Sequence, residues 1–108
     1  MEAVACNKIS ERAKSGEVYI LVVSKDCHFC HDVVTNVEKY GFSRPIIVVT
    51  YEDCRSDIDD LVSTEAFPTL VHLDKGKEIR RAVGVEEIES FETQAETVSD
   101  NRSGQSPE

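Results

Sequence analysis

Apolar and polar positions along this chain fall into blocks whose period switches between helical and extended several times. Residues 3 to 15 place Cys6, Ile9 and Ala13 at helical spacing ahead of Gly16, which predicts a first helix. Val18 to Ser24 (Val-Tyr-Ile-Leu-Val-Val-Ser) is a nearly continuous apolar run rich in β-branched residues. That is the pattern of a parallel strand covered on both faces. Asp26 offers a cap for a following helix that carries Val33, Val34, Val37 and Tyr40 on one face, and Gly41 offers its stop. Pro45 to Thr50 (Pro-Ile-Ile-Val-Val-Thr) predicts a second buried strand, so that strand, helix and strand form a βαβ unit with a right-handed crossover.

The second half of the chain reads differently. Ser56 to Glu65 predicts a shorter helix with Ile58, Leu61 and Val62 inward. Phe67-Pro68-Thr69 then introduces a strand from Leu70 to Leu73, and Asp74-Lys75-Gly76-Lys77 is a hairpin turn returning as Glu78 to Val83. After Gly84, Ile88, Phe91, Ala95 and Val98 recur at steps of three and four, predicting a last helix. From Ser99 to Glu108 no apolar residue occurs, and a disordered polar tail is expected. The fold class is therefore α/β: a four-stranded mixed sheet flanked by helices over residues 1–98, followed by the tail at 99–108.

Composition narrows the class. A chain of 108 residues has room for one domain and one ordinary core. No apolar run reaches the roughly 20 residues that span a bilayer, and the opening residues lack the basic-then-apolar layout of a secretory signal. A cytoplasmic protein is the resulting expectation. The formal net charge of −9 repels phosphate, so neither nucleic acid nor an anionic membrane is an expected partner. The acidity serves solubility, with a basic partner surface as the sharper alternative. Four cysteines could indicate a disulfide framework, but one close pair and two distant singles among long periodic segments fit catalytic or metal chemistry better.

The close pair is Cys27-His28-Phe29-Cys30, at the junction of the first buried strand with the next helix. There the first sulfur lies near the unpaired amides and positive end of the helix dipole. That field favours the thiolate and lowers the pKa below the free-thiol value of about 8.5. Cys27 is then the nucleophile toward a partner's disulfide, and Cys30 resolves the mixed disulfide. Two other readings share these residues. Cys27 to His31 matches the Cys-x-x-Cys-His pattern of haem attachment, although the only methionine is Met1. A zinc site would need two further ligands, for which Cys54 with a histidine is a weak substitute. No metal and no bound cofactor are expected.

Over residues 3 to 95 the chain resembles the thioredoxin/glutaredoxin superfamily. The dithiol falls at the strand–helix junction, and about forty residues later Pro68 stands just before a hairpin strand. The resemblance implies that Pro68 is cis, packs against the dithiol, and presents the backbone of Phe67 to an incoming substrate. Leu70 to Gly84, with its Asp-Lys-Gly-Lys turn, resembles the thioredoxin hairpin. Glutaredoxins carry a Gly-Gly and a serine or threonine plus aspartate there to hold glutathione, where this chain has Val83-Gly84-Val85-Glu86-Glu87. Against the thioredoxin side, no tryptophan precedes Cys27, Phe29 takes the place of the glutaredoxin tyrosine, and the first thioredoxin strand is missing.

One departure touches mechanism. Thioredoxins bury an aspartate six residues before the first cysteine, and that position is Leu21 here. The usual nearby lysine has no equivalent in Ile46-Ile47-Val48-Val49. His28 and His31 are candidate proton acceptors in its place, since imidazole accepts a proton near neutrality. Cys6 reads as a small buried hydrophobe, Cys54 as a possible reactive or regulatory thiol, and His72 as a satisfied strand residue. The function implied is a monomeric reductase of protein disulfides, recharged by a thioredoxin-reductase-type partner or by glutathione. The alternatives are a glutathione-dependent glutaredoxin type and a redox-sensitive binding adaptor without turnover.

Overall fold

Because its residues are apolar at every position after the first, one strand must sit at the centre of the sheet. In the computed structural model, which describes residues 2–92, that strand is β1 (Glu17–Val23). It pairs in parallel with β2 (Ile46–Thr50) on one side and antiparallel with β3 (Thr69–Asp74) on the other. β3 pairs antiparallel with β4 (Lys77–Val83), giving the order β2-β1-β3-β4. The expected mixed four-stranded sheet is present.

The two faces of β1 belong to two cores. Val18, Ile20 and Val22 pack against Ile9 and Ala13 of α1 (Ile9–Ala13) and Ile58 of α3 (Arg55–Asp59). Tyr19, Leu21 and Val23 pack against Val33 and Val37 of α2 (His28–Tyr40) and Ile88 of α4 (Val85–Glu89). Tyr19 is 2% exposed and meets Phe42 and Phe91 edge-on. Its hydroxyl donates to Glu92 at 2.7 Å, the partner a buried phenol requires. The β3–β4 hairpin turns through Lys75 (φ 54°) and Gly76 (φ 87°). Two successive positive φ values define the hairpin turn whose twist matches its strands, and glycine relieves the second. A bulge follows at Ile79, since Leu73 faces Glu78 while His72 faces Arg80.

Several expected boundaries are corrected. Residues 3 to 15 are not one helix. A single 3-10 turn (Cys6–Lys8) leads into the short α1, because Glu2 is held in extended pairing with the outer edge of β2. The Glu2 N–H donates to the Ile46 carbonyl at 2.8 Å and the Glu2 carbonyl accepts from Val48 at 3.0 Å. A one-residue remnant thus stands where a first strand was expected to be missing. Asp26 does not cap α2; Cys27 does. The helix expected over Ser56 to Glu65 shrinks to α3, because the chain must leave helical geometry to reach the Phe67-Pro68 turn. Gly41 ends α2 as expected, with its N–H donating to Val37 at 2.9 Å and φ at 74°. Ala95, Val98, the Tyr40 side chain and the tail expected at 99–108 lie outside the described residues.

Candidate active site

The dithiol lies where β1 gives way to α2. Cys27 has an extended backbone (φ −98°, ψ 105°) and occupies the N-cap, the position at which a side chain can reach back to a free helix amide. Its sulfur accepts the Cys30 N–H at 3.1 Å. The two Cα atoms are 5.3 Å apart and the sulfurs are at disulfide distance. Cys27 is half-buried, whereas Cys30 is only 3% exposed. Thus one sulfur faces the outside and the other is sheltered.

The shelter around Cys30 is apolar. Leu21, fully buried, belongs to the same cluster as Cys30, Val33 and Leu70. Among the described residues no aspartate or glutamate is buried, so no buried carboxylate stands beneath the dithiol. His28 and His31 are both exposed on the first turns of α2 and share a shallow depression with Lys25, Asp26, Cys27 and Asp32. Both imidazoles are therefore beside Cys27 and open to water.

The Phe67–Pro68 peptide is cis, and Phe67 belongs to the same apolar cluster as Cys27 and Cys30. Phe67 packs against both cores and tilts over Tyr51, with ring centroids 5.5 Å apart. The Thr69 hydroxyl donates to the Ala66 carbonyl at 2.7 Å, and the Pro68 carbonyl accepts from Gly84 at 2.9 Å. Beside this turn runs an open groove of about 520 Å³ lined by Phe29, Asp32 and the segment Val83-Gly84-Val85-Glu86-Glu87. Phe29 is 66% exposed and lines the groove together with Val83, itself an exposed apolar side chain. Glu87 accepts the Val83 N–H at 2.9 Å, whereas among the described residues no cation pairs with Asp32 or Glu86.

The segment in front of Cys27 is tied to the end of β2. Glu52 accepts from the Ser24 hydroxyl and from the Lys25 N–H at 3.0 Å, and Lys25 Nζ meets Asp53 at 2.8 Å. Donation from Ser24, then from the Lys25 amide, holds the Glu52 carboxyl below its ordinary 4.5. The hydrogen bond that Lys25 donates to Asp53 raises the lysine above its ordinary value. Immediately after Asp53 comes Cys54, which is 8% exposed and joined to Cys6 with Cα atoms 5.2 Å apart. The expectations of a lone hydrophobic Cys6 and a free Cys54 thiol are thereby overturned, and Cys54 is removed as the spare ligand of a zinc site. Helical spacing suggested a solitary Cys6; the even cysteine count was the available signal for a second pair. His72 is satisfied as expected, with Nε2 3.0 Å from Glu17. No group of three histidine, cysteine or acidic side chains among the described residues is placed to hold a metal.

No family model and no curated protein matches the sequence. Solved structures do. An oxidised thioredoxin from Plasmodium falciparum aligns at TM-score 0.74 and 13% identity, covering 91% of this chain and 97% of that one. A thioredoxin from Malassezia sympodialis aligns at 0.73 and 20%, covering 89% and 87%. One from Fasciola hepatica aligns at 0.69 and 21%, covering 89% and 98%. Identities this low speak for the backbone and not for the chemistry. In sheet order, helix placement and the position of its Cys27-x-x-Cys30 pair, this chain has the thioredoxin fold.

Proposed function

We infer that the chain is a thiol–disulfide oxidoreductase that reduces disulfides of other proteins, with Cys27 as nucleophile and Cys30 as resolver. The observation that carries this reading is the asymmetry of the pair. The half-buried Cys27 sulfur sits at the N-cap of a thirteen-residue helix and accepts a backbone N–H, while Cys30 is sheltered behind it. Helix dipole and amide both favour a negative sulfur at Cys27.

The exchange balances in two steps. The Cys27 thiolate forms a bond to one substrate sulfur, and the other leaves as a thiolate that takes up a proton. Cys30 then gives up its proton and bonds to Cys27, expelling the second substrate thiolate. Two electrons pass from the dithiol to the substrate, and a donor dithiol resets the pair. No bound cofactor is needed. With Leu21 beneath the dithiol, the Cys30 proton leaves through His28, His31 or water. The backbone at Phe67-Pro68 receives the substrate chain, and the groove of Phe29, Val83 and Val85 receives its neighbouring side chains. Asp32, Glu86 and Glu87 disfavour the glutathione carboxylates, so a thioredoxin-reductase-type partner is the donor in this reading. The protein acts as a monomer in a reducing, cytosolic setting.

Trapping tests the roles. Cys30→Ser should accumulate mixed disulfides with insulin chains, and Cys27→Ser should form none and show no reductase turnover. The reverse pattern would reject the assignment. Binding of disulfide proteins without any turnover by the wild type would favour the adaptor reading.

A further inference from the structure

The Cys6–Cys54 bridge plays no part in that exchange, yet it pins the stretch of chain that grips the approach to Cys27. From Tyr51 to Asp53 this stretch is bonded to residues 23–25 by four contacts. The Tyr51 N–H donates to the Val23 carbonyl at 2.8 Å, Glu52 takes the Ser24 hydroxyl and the Lys25 N–H, and Asp53 holds Lys25 Nζ at 2.8 Å. One residue later Cys54 is fixed to Cys6. The Cys6 sulfur also lies 3.3 Å from the Asp53 carbonyl oxygen. Cys6 is half-buried and Cys54 is nearly closed off, so an attacking thiolate reaches the bridge from the Cys6 side.

We propose that Cys6–Cys54 is a second exchange site, opened by a dithiol, and that its state sets the reactivity of Cys27 through Asp53 and Lys25. A thiolate of the dithiol bonds to the Cys6 sulfur and Cys54 leaves, taking up a proton. The second thiol of the reductant loses its proton and closes on the first, releasing Cys6, which is protonated in turn. Two electrons enter the bridge and the reductant departs as a disulfide. While the bridge is closed, Asp53 neutralises Lys25, which shares with Cys27 the depression that also holds Asp26, His28, His31 and Asp32. Once it is open, the turn before α3 loses its anchor to the 3-10 turn. The Lys25 ammonium is then freed beside a sulfur whose reactivity depends on its negative form. Asp53 is a positioning residue here, acting on Cys27 only through Lys25.

The experiment uses the full chain carrying Cys30→Ser, so that Cys27 is free whichever state the bridge is in. Its alkylation rate is followed against pH in the bridged form, in Cys6→Ser/Cys54→Ser, and in Asp53→Asn with the bridge intact. Both the opened and the Asp53→Asn forms should react about three- to tenfold faster near pH 6.5, with the whole profile displaced to lower pH. Adding Lys25→Met should abolish the gain. In the wild type, graded dithiothreitol mixtures should open and reclose the bridge with the far-ultraviolet dichroism unchanged. Equal Cys27 rates in bridged and opened forms would overturn the proposal. So would opening that occurs only as the chain unfolds, or a Cys6→Ser/Cys54→Ser chain that does not fold. Alkylation needs no turnover, so this readout stands or falls separately from the reductase reading.

Discussion

The N–H of Gly84 donates to the carbonyl oxygen of Pro68 at 2.9 Å, joining the Phe67-Pro68 turn to the head of α4. The Glu87 carboxylate, three residues further on, accepts the Val83 N–H, so the Val83-Gly84 stretch of the groove is held by one side-chain and one backbone bond. Of the acidic rim beside Phe29, Glu87 is consequently anchored, and the rim's charge can act on a ligand.

Glu86→Gln/Glu87→Gln should therefore raise turnover of a glutathione mixed disulfide about five- to tenfold at low salt. The advantage should shrink as ionic strength shortens the screening length. Glutamine at 87 can still accept the Val83 N–H, so α4 is expected to persist. A kcat/KM comparison at two salt concentrations checks this, and an unchanged ratio would remove the acidic rim as a selectivity element.

Asp26 is exposed in the turn just before Cys27 and places a negative charge beside the sulfur. Asp26→Asn should speed alkylation of Cys27 about two- to fivefold near neutrality, the size of one exposed charge a few ångströms away. Because Cys27 itself caps α2, the substitution should leave helix content unchanged by circular dichroism. A loss of helix would instead restore Asp26 as the cap.

Acid should weaken the fold in a defined direction. Hydrogen bonds from Arg12 hold the Glu2 carboxyl below its ordinary 4.5, those from His72 and Arg44 do the same for Glu17, and that from Arg81 for Glu78. A carboxylate whose folded-state value is depressed contributes stability that is present above the unfolded value and lost as pH falls through the folded one. Urea midpoints should be flat from neutrality to about pH 5 and then fall steadily on further acidification. Glu52 belongs to this group, so the loop before Cys27 should loosen over the same window, read as a lower protection of the Lys25 amide relative to its intrinsic exchange rate at each pH.

Removing the Cys6–Cys54 bridge should cost about 2–4 kcal/mol, given that it closes a loop of 48 residues. A domain with ordinary stability of about 5–15 kcal/mol remains folded after that loss. Denaturation of Cys6→Ser/Cys54→Ser beside the wild type measures it directly. A change near zero would mean that the unfolded chain gains little freedom when the bridge is absent.

Much of this architecture is written in local pattern. Val18 to Val23 could only be a central strand, and the helix that starts after Cys27 announces both its buried face and its glycine stop. Asp74 to Lys77 names its own turn. What local pattern does not carry is long-range pairing. Glu2 joins β2 through a single residue, too short a contact to leave a periodic trace. The partner of Cys6 lies across the chain, and spacing alone does not identify disulfide connectivity. Residues 60–66 keep helical spacing but are spent in reaching the Phe67-Pro68 turn. The dithiol was legible because strand end and helix start coincide at Cys27; the grip of Glu52 and Asp53 on Ser24 and Lys25 was not, since it exists only after β2 is laid beside β1.

The sheet's outer margins bear on how the protein behaves when concentrated. A sheet edge with unpaired backbone groups invites another chain to add a strand, and proteins that stay dispersed blunt such edges with charge, bulges or cover. At β2 the margin is already occupied by Glu2. At β4 it is broken by the bulge at Ile79 and flanked by Lys77, Glu78, Arg80 and Arg81. Neither side offers a long bare ribbon to a second copy, so the fold carries its own protection against edge-to-edge aggregation. At the β2 margin that protection rests on the backbone of a single residue.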